Sequence, residues 1–510
     1  MSRAARAAAL VAVALAATGC GGPAKARPAP PIAGQAAGDP IDRLLAFVPA
    51  DASYLFVRDQ QAGINQMGNT TQALAALRGL RSSLDDTDTP GLAFVAGLLA
   101  ALDDPARPAA EAVGWHEGQS AVIAYGLGLD TVIRASLDGD RLRATIEDAA
   151  AASRFPLPTV RWQGGSYYRL EIPTPAFTIW MLVRFDAEGV VAVLTGDPDR
   201  LLDHLMAEHG SGPRFDTDAV VAAAYPGHRT DARFSAAIYP ERLGAALQQV
   251  VARHPPWLAP FGTCAGAVAD LLAATPSMTG AWVPAADRFE AVLVVGADDR
   301  TVDRLGKAQH ALPRWRTEGP QFRFGLGVAL PTLLEVAEPW LAAFDRTSST
   351  CGSSSGSVDM LRKLVEPAPM ALIDAWVVEV DPATRHMVAA LGARDQQALW
   401  AGLRTLVPLR PQPPGLLEQV TFQSMVFMGG GDALGAAIGD GAAADLPALM
   451  AAAPGPRAVL AFELGREAFA QFRRASPSMA NEPYGSMAIR AGVRDRRLVV
   501  DMRFTLDPPP

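Results

Sequence analysis

Residues 233–254 read RFSAAIYPERLGAALQQVVARH, and residues 323–344 repeat the pattern as RFGLGVALPTLLEVAEPWLAAF. Both copies start with an apolar segment that is typical of a strand and continue, after a proline, with the apolar spacing of an amphipathic helix. Pro240 and Pro331 fall in the first turn of that helix, where the missing N–H breaks no hydrogen bond. The two copies therefore predict the same strand–helix unit twice.

The likeness continues beyond the helix. In both copies a lone cysteine comes next, followed by a second helix, a tryptophan-containing strand, a turn, another strand and an acidic residue that starts a closing helix. The paired markers are Cys264 and Cys351, Trp282 and Trp376, and Asp299 and Asp395. Weaker strand–cap–helix copies flank them, one with Asp140 as its acidic residue. This shared order of markers predicts an internal duplication.

Strand pairs that recur between helices indicate the fold class. The sequence predicts an α+β protein with largely antiparallel sheets and helices packed on one face, built from internally duplicated strand–helix–hairpin–helix units. The predicted bounds are 41–228 for the first unit, 229–317 for the second, 318–455 for the third, which repeats the second and adds a hairpin and a helix, and 456–510 for an incomplete closing unit.

The composition is that of a globular protein with substantial cores. The chain has 510 residues, of which 49% are hydrophobic and 19% charged, so several domains of ordinary size are expected. The formal net charge is −8, and basic residues form no cluster. Because nucleic-acid binding needs a basic surface, we expect no nucleic-acid partner.

The first twenty residues have the pattern of an export signal. Arg3 and Arg6 precede the apolar stretch 7–17, which is too short to cross a bilayer, and Ala17-Thr18-Gly19-Cys20 follows. This ending resembles the lipobox of bacterial lipoprotein signal peptides. The resemblance implies that residues 1–19 are removed, that the Cys20 thiol receives a diacylglycerol and that the new amine is acylated. An ordinary secretory leader, with Cys20 left free, is the alternative.

The segment after Cys20 predicts a tethered protein. Gly21 follows the cysteine, which in lipoproteins of this type implies the outer membrane, on its periplasmic or surface side. Residues 20–40 then combine the lipidated cysteine with a stretch rich in proline and glycine, typical of an extended tether. The PADA opening at residues 49–52, with the repeated units behind a lipobox, is similar to a group of exported bacterial proteins of unknown function. That similarity implies no activity.

Two cysteines remain once Cys20 is assigned to the lipid. Cys264 and Cys351 form an even pair in a compartment that is oxidising. They occupy corresponding positions in neighbouring copies, and a local two-fold axis brings equivalent residues together. We therefore predict a disulfide between Cys264 and Cys351. The alternative is two separate buried thiols, since a free cysteine packs as a small apolar residue.

Evidence for catalysis in the sequence is weak. The glycine spacing around Cys264 and around Ser354 matches a nucleophile elbow, but neither residue follows the apolar strand that an elbow requires. The seven histidines include no metal-binding helical pair, and we predict no metal site. The glycine run 429–431 lacks the pattern of a dinucleotide loop and predicts a hairpin turn, so no cofactor is expected.

Three functions are compatible with these features. The first is a non-catalytic, lipid-anchored envelope protein that acts as a scaffold or interaction partner and engages another envelope protein. The second is a binding module or carrier that holds an apolar ligand, such as a lipid, between its sheet and helices. The third and least favoured is a hydrolase with Cys264 or Ser354 as its nucleophile.

Overall fold

A computed structural model describes residues 40–58, 90–196, 234–253, 262–406, 416–475 and 484–506, with short gaps inside these ranges. Cys20, the tether up to residue 39 and Ser354 lie outside the described residues. The chain divides into two compact units. Unit 1 comprises Met1–Ala273 and Ser277–Ala286, and unit 2 comprises Ala274–Pro276 and Asp287–Pro510.

Unit 1 combines one antiparallel sheet with helices. Its described strands are β1 (Tyr54–Arg58), β2 (Ala121–Leu127), β3 (Asp130–Ser136), β4 (Thr159–Trp162), β5 (Gly165–Pro173), β6 (Thr178–Asp186), β7 (Gly189–Thr195), β8 (Phe234–Ile238) and β9 (Ser277–Pro284). Its described helices are α1 (Pro40–Leu45), α2 (Pro90–Leu102), α3 (Ala109–Ala112), α4 (Gly139–Ser153), α5 (Pro240–Ala252) and α6 (Cys264–Ala274). The strands lie in the order β4-β5-β6-β7-β3-β2-β1-β8-β9, and every neighbouring pair is antiparallel.

The strands of unit 2 are also antiparallel. Its described strands are β10 (Arg288–Gly296), β11 (Phe322–Leu326), β12 (Ile373–Asp381), β13 (His386–Ala393), β14 (Leu416–Val420), β15 (Met425–Gly430), β16 (Ala433–Ile438), β17 (Leu460–Leu464), β18 (Tyr484–Arg494) and β19 (Arg497–Leu506). Its described helices are α7 (Asp299–Ala308), α8 (Leu330–Thr350), α9 (Gln396–Leu406), α10 (Leu446–Ala451) and α11 (Arg466–Ala475), with 3₁₀ turns at Met370–Leu372 and Ala442–Asp445. The strand order is β10-β19-β18-β17-β11-β12-β13-β16-β15-β14, again antiparallel throughout. The predicted α+β class with antiparallel sheets is thus confirmed.

The expectation that helices pack on one sheet face needs correction. In unit 1 the apolar residues of α2 and α4 pack with Val122 and Ile133. The helix α1 packs instead with Leu55 and Ile123, which point to the opposite face because neighbouring strand residues alternate. Apolar residues occupy both faces of these central strands, so burying them requires helices on both sides.

The predicted helix starts are accurate where proline defines them. Helix α5 begins at Pro240, and α8 carries Pro331 in its first turn, as the sequence indicates. The predicted cap Asp395 accepts the backbone N–H of Ala398 at 2.8 Å. The predicted hairpin also forms, because Gly430 at the end of β15 pairs with Ala433 at the start of β16.

Two predicted caps are wrong by one or two residues. Helix α7 is capped by Asp298 rather than Asp299, and Asp298 accepts the backbone N–H of Thr301 at 2.7 Å. Helix α4 is capped by Asp138 rather than Asp140. The capping residue must have extended backbone angles, and its side chain must reach the N–H of the third helical residue. Where several acidic residues are neighbours, the sequence does not show which of them meets these conditions. Among the described helices, none has the length and apolar character needed to span a membrane.

Candidate functional site

The two faces of the unit 2 sheet differ in how far they are buried. Residues directly opposite each other in antiparallel strands point to the same face. The register places Gly325 opposite Val377 and Ala461, and it places Phe324 opposite Val378 and Phe462. We call the first set the covered face and the second set, defined below, the aromatic face.

The covered face is closed by the segment before β11. Leu312 and Trp315 form one cluster with Val377 and Ala461, and Leu312, Val377 and Ala461 are fully buried. The approach is so close that a Cβ atom on Gly325 would lie 2.8 Å from the side chain of Leu312. A larger residue at that point of β11 would require the Leu312 side chain to shift.

A row of opposite charges also crosses the covered face. The Glu379 side chain is completely buried, and it accepts hydrogen bonds from the backbone N–H of Arg316 at 3.0 Å and from the Arg316 guanidinium. Arg323 lies directly opposite Glu379 and donates to Glu463 at 2.5 Å, and Arg490 donates to Glu463 at 3.3 Å. Each buried carboxylate is thus paired, as burial of a charge requires.

The aromatic face is apolar and half-open. It consists of Phe322 and Phe324 on β11, Trp376 and Val378 on β12, Phe462 on β17 and Ile489 on β18, all directly opposite or alternate in register. Every one of these side chains is only partly buried. Phe322 meets Phe462 edge to face with ring centroids 5.3 Å apart, and Phe324 meets Trp376 at 5.1 Å. The result is a row of packed aromatic and apolar side chains, each of which is partly buried.

Helix α9 covers one end of the aromatic face. Leu399 and Trp400 on α9 belong to the same apolar cluster as Ile373, Leu434 and Trp376. Gln396 lies one helical turn earlier on the same side of α9. The Trp376 Nε1 and Gln396 Nε2 atoms are both buried, and neither has a hydrogen-bond partner in the described part of the chain. Buried donors normally find acceptors, so this end of the face is chemically unusual.

Unit 1 contains perturbed tyrosines that belong to its packing. Burial raises the pKa of Tyr54, whose hydroxyl bonds to Thr131, and burial also raises the pKa of Tyr239. The pKa of Tyr168 rises to about 12 through desolvation and then through its hydrogen bond to Glu147. A raised pKa keeps each phenol neutral and makes it a weaker candidate for general-base chemistry.

The predicted cysteine sites have different outcomes. Cys264 is the first residue of α6, and Cys351 follows the last residue of α8. Both are disulfide-bonded in the structure. A cysteine in a disulfide has no thiolate, so Cys264 in this state cannot serve as the nucleophile of the hydrolase hypothesis.

One histidine is held by a carboxylate. His386 Nδ1, at the start of β13, lies 2.9 Å from an oxygen of Asp445 at the end of a 3₁₀ turn. The neighbouring Val388, Ala442 and Leu446 share one buried cluster. The pair therefore joins the strand to the turn that covers it. Among the described residues, no three histidine, cysteine, aspartate or glutamate side chains cluster in a way that could hold a metal ion.

The comparisons with known proteins add no relative. No protein-family model matches the sequence, and neither a curated protein nor a solved structure matches it significantly.

Sequence reasoning missed both features of the unit 2 sheet. Trp376 packs against the buried cluster of Ile373 and Leu399 at one end of the aromatic face, where it is partly buried. The signal was present in β12, where IDAWVVEVD places Trp376 and Val378 on one side and Val377 and Glu379 on the other. An acidic residue on the buried side of a strand indicates a charged partner, but only the fold identifies Arg316 as that partner.

Proposed function

We propose that this protein is a lipid-anchored, non-catalytic protein of the bacterial outer membrane that binds an apolar ligand on the aromatic face of unit 2. The leader that ends at Cys20 supports the anchor, and the tether up to residue 40 supports a body that stands off the membrane. The half-open aromatic surface supports the binding role.

The observation that carries the binding role is the contrast between the two sheet faces. The covered face buries Val377 and Ala461 completely, while the larger Phe324 and Phe462 side chains remain partly exposed. Removing apolar surface from water is favourable by about 25 cal/mol per Å². A contiguous apolar surface left in contact with water is typical of a ligand or interaction site. An acyl chain matches it in chemistry and needs no charge.

Native mass spectrometry of the protein purified from envelopes tests this role. We expect a retained lipid mass in the wild type and its loss in Val378→Gln, because an amide in the middle of the aromatic face disfavours an acyl chain. Arg490→Gln, on the covered face, is the matched control and should retain the lipid. A wild-type protein that carries no lipid and takes none from added vesicles would rule the role out.

A scaffold role is the second candidate, and one exposed aromatic pair favours it. The Trp340 side chain on α8 is 38% exposed and stacks on Phe344 with ring centroids 5.6 Å apart. A photo-crosslinking residue at position 340 in intact envelopes should capture an envelope protein. Leu129, which is 41% exposed in unit 1, provides the control position. Equal crosslinking at both positions would argue against a specific scaffold surface.

We also propose that the body arose by internal duplication. The strand order β5-β6-β7-β3-β2-β1-β8-β9 in unit 1 has the same connectivity as β14-β15-β16-β13-β12-β11-β17-β18 in unit 2. The strands that start the predicted units, β1, β8, β11 and β17, are each five residues long. These likenesses support the duplication, and the finer bounds at 229, 318 and 456 stay a prediction.

We also propose that Cys264 and Cys351 form a disulfide bond with each other. Their disulfide-bonded state supports this pairing, together with the oxidising compartment that the leader implies. A mature protein with this bond has no free cysteine once Cys20 is lipidated.

A further inference from the structure

The end of the aromatic face under α9 contains two hydrogen-bond donors without acceptors. Trp376 Nε1 and Gln396 Nε2 are buried, and no partner for either exists in the described part of the chain. An indole N–H that is withdrawn from water normally finds a partner, and so does a side-chain amide. Both residues flank one cluster, because Leu399 and Trp400, which pack with Trp376, follow Gln396 by one turn of α9.

We propose that Trp376 and Gln396 bind the carbonyl of an acyl ester whose hydrocarbon chain lies along the aromatic face. This inference rests on the proposed apolar-ligand function and names the ligand class. An ester carbonyl oxygen is an acceptor with two lone pairs, and it can take both N–H donors. The chain attached to it meets only apolar and aromatic side chains, from Phe324 on β11 to Phe462 on β17 and Ile489 on β18.

The charges at this end favour a neutral ester over a free fatty acid. A carboxylate is stabilised mainly by cations, whereas the two orphan donors are neutral. Arg394, which precedes α9 in the chain, is already paired with Asp374 at 3.2 Å, and its backbone N–H donates to the same carboxylate at 3.0 Å. The Asp374 carboxylate at this end also disfavours a second anion.

The site is closed to solvent at the two nitrogen atoms and half-open along the rings. Binding therefore requires the α9 side chains that pack with Trp376 to move away from it. Neighbouring strands are about 4.8 Å apart, so the face from β12 to β18 extends over about 14 Å. That length accommodates a substantial part of an acyl chain.

Displacement of an anilinonaphthalene sulfonate dye from the full-length protein measures binding. The competitors are methyl palmitate, palmitic acid, hexadecane and a phosphatidylcholine, and the variants are Trp376→Phe and Gln396→Leu. Gln396→Leu keeps the side-chain volume, Trp376→Phe keeps a smaller aromatic ring, and both lose the N–H donor. We expect each to weaken methyl palmitate about three- to tenfold, the effect of one hydrogen bond, and to leave hexadecane unchanged. Trp340→Phe, a matched tryptophan on α8 that lies outside this cluster, should change neither.

The outcomes separate this inference from the function on which it rests. Equal weakening of methyl palmitate and hexadecane in Trp376→Phe would mean that the ring contributes only apolar contact, which overturns the ester site but keeps the apolar-ligand function. Tighter binding of palmitic acid than of its methyl ester would also overturn it. Failure of every competitor to displace the dye would remove the function itself. If phosphatidylcholine displaces the dye and both variants weaken its binding as they weaken that of methyl palmitate, the natural ligand is a membrane phospholipid. If only methyl palmitate displaces the dye, the ligand is another acyl ester.

Discussion

Arg323 and Glu379 lie directly opposite each other across strands β11 and β12, on the covered face of unit 2. The Glu379 side chain is completely buried, and Arg316 donates two hydrogen bonds to it. A carboxylate in this position is tolerated only because cations surround it. The two hydrogen bonds from Arg316 to Glu379 therefore hold the segment that covers the sheet against β12.

Replacing Glu379 by Gln should destabilise unit 2 by about 3 kcal/mol, since it leaves the largely buried Arg316 guanidinium without its carboxylate partner. Glu290→Gln is the control, because Glu290 is a partly exposed partner of Arg288 at 2.9 Å and should lose less than about 1 kcal/mol. Urea unfolding followed by circular dichroism measures both. Equal stability of the two variants would contradict the structural role of Glu379.

The N-cap of α7 gives a pH-dependent prediction. A hydrogen bond from the backbone N–H of Thr301 holds the pKa of Asp298 below its usual value of 3.8. The folded state therefore binds the proton of Asp298 less tightly than the unfolded state does. The charged cap consequently stabilises the folded state fully above the unfolded pKa. This stabilisation is lost as the pH falls through the folded pKa. The difference in thermal midpoint between wild type and Asp298→Asn should be constant above about pH 5 and change below the unfolded value. A constant difference down to strongly acidic pH would refute the role of the charge.

The disulfide predicts a non-additive pair of variants. Cys264→Ser and Cys351→Ser should each lower the free energy of unfolding by about 4 kcal/mol, as expected for a cross-link that closes a long loop. The double variant should lose no more than either single variant, because both remove the same bond. Peptide mapping without reduction should recover the two cysteines in one linked peptide. Additive losses, or two alkylated cysteines in the untreated protein, would favour separate thiols.

The proposed lipid anchor predicts where the protein is found in the cell. Cys20→Ser should release it from the membrane fraction, since the acyl chains on Cys20 are the expected membrane attachment. Gly21→Asp is the matched control, because it keeps Cys20 and should move the protein to the inner membrane rather than release it. A Cys20→Ser protein that stays with the membranes would disprove the anchor.

The local sequence defined many elements of this protein because their causes are local. Pro240 and Pro331 begin helices where the sequence indicates, since proline fixes its own φ angle and needs no N–H partner. The alternating strands and the glycine turn after β15 likewise indicate antiparallel pairs, and the structure has them. The sequence defines the capping residues less well. Asp298 and Asp299 are the same residue type, and only their backbone angles, which depend on the preceding strand, decide which of them caps α7.

Only the tertiary structure decided which residues form the candidate site. Alternation along β12 separates Trp376 from Glu379, but nothing in that strand states which face is closed and which stays half-open. That choice depends on the segment with Leu312 and Trp315, which covers one face, and on α9, which packs at one end of the other. These contacts join residues far apart in the chain. The burial of Trp376 and Gln396, and the lack of acceptors for their N–H donors, follow from packing geometry, which no local sequence pattern encodes.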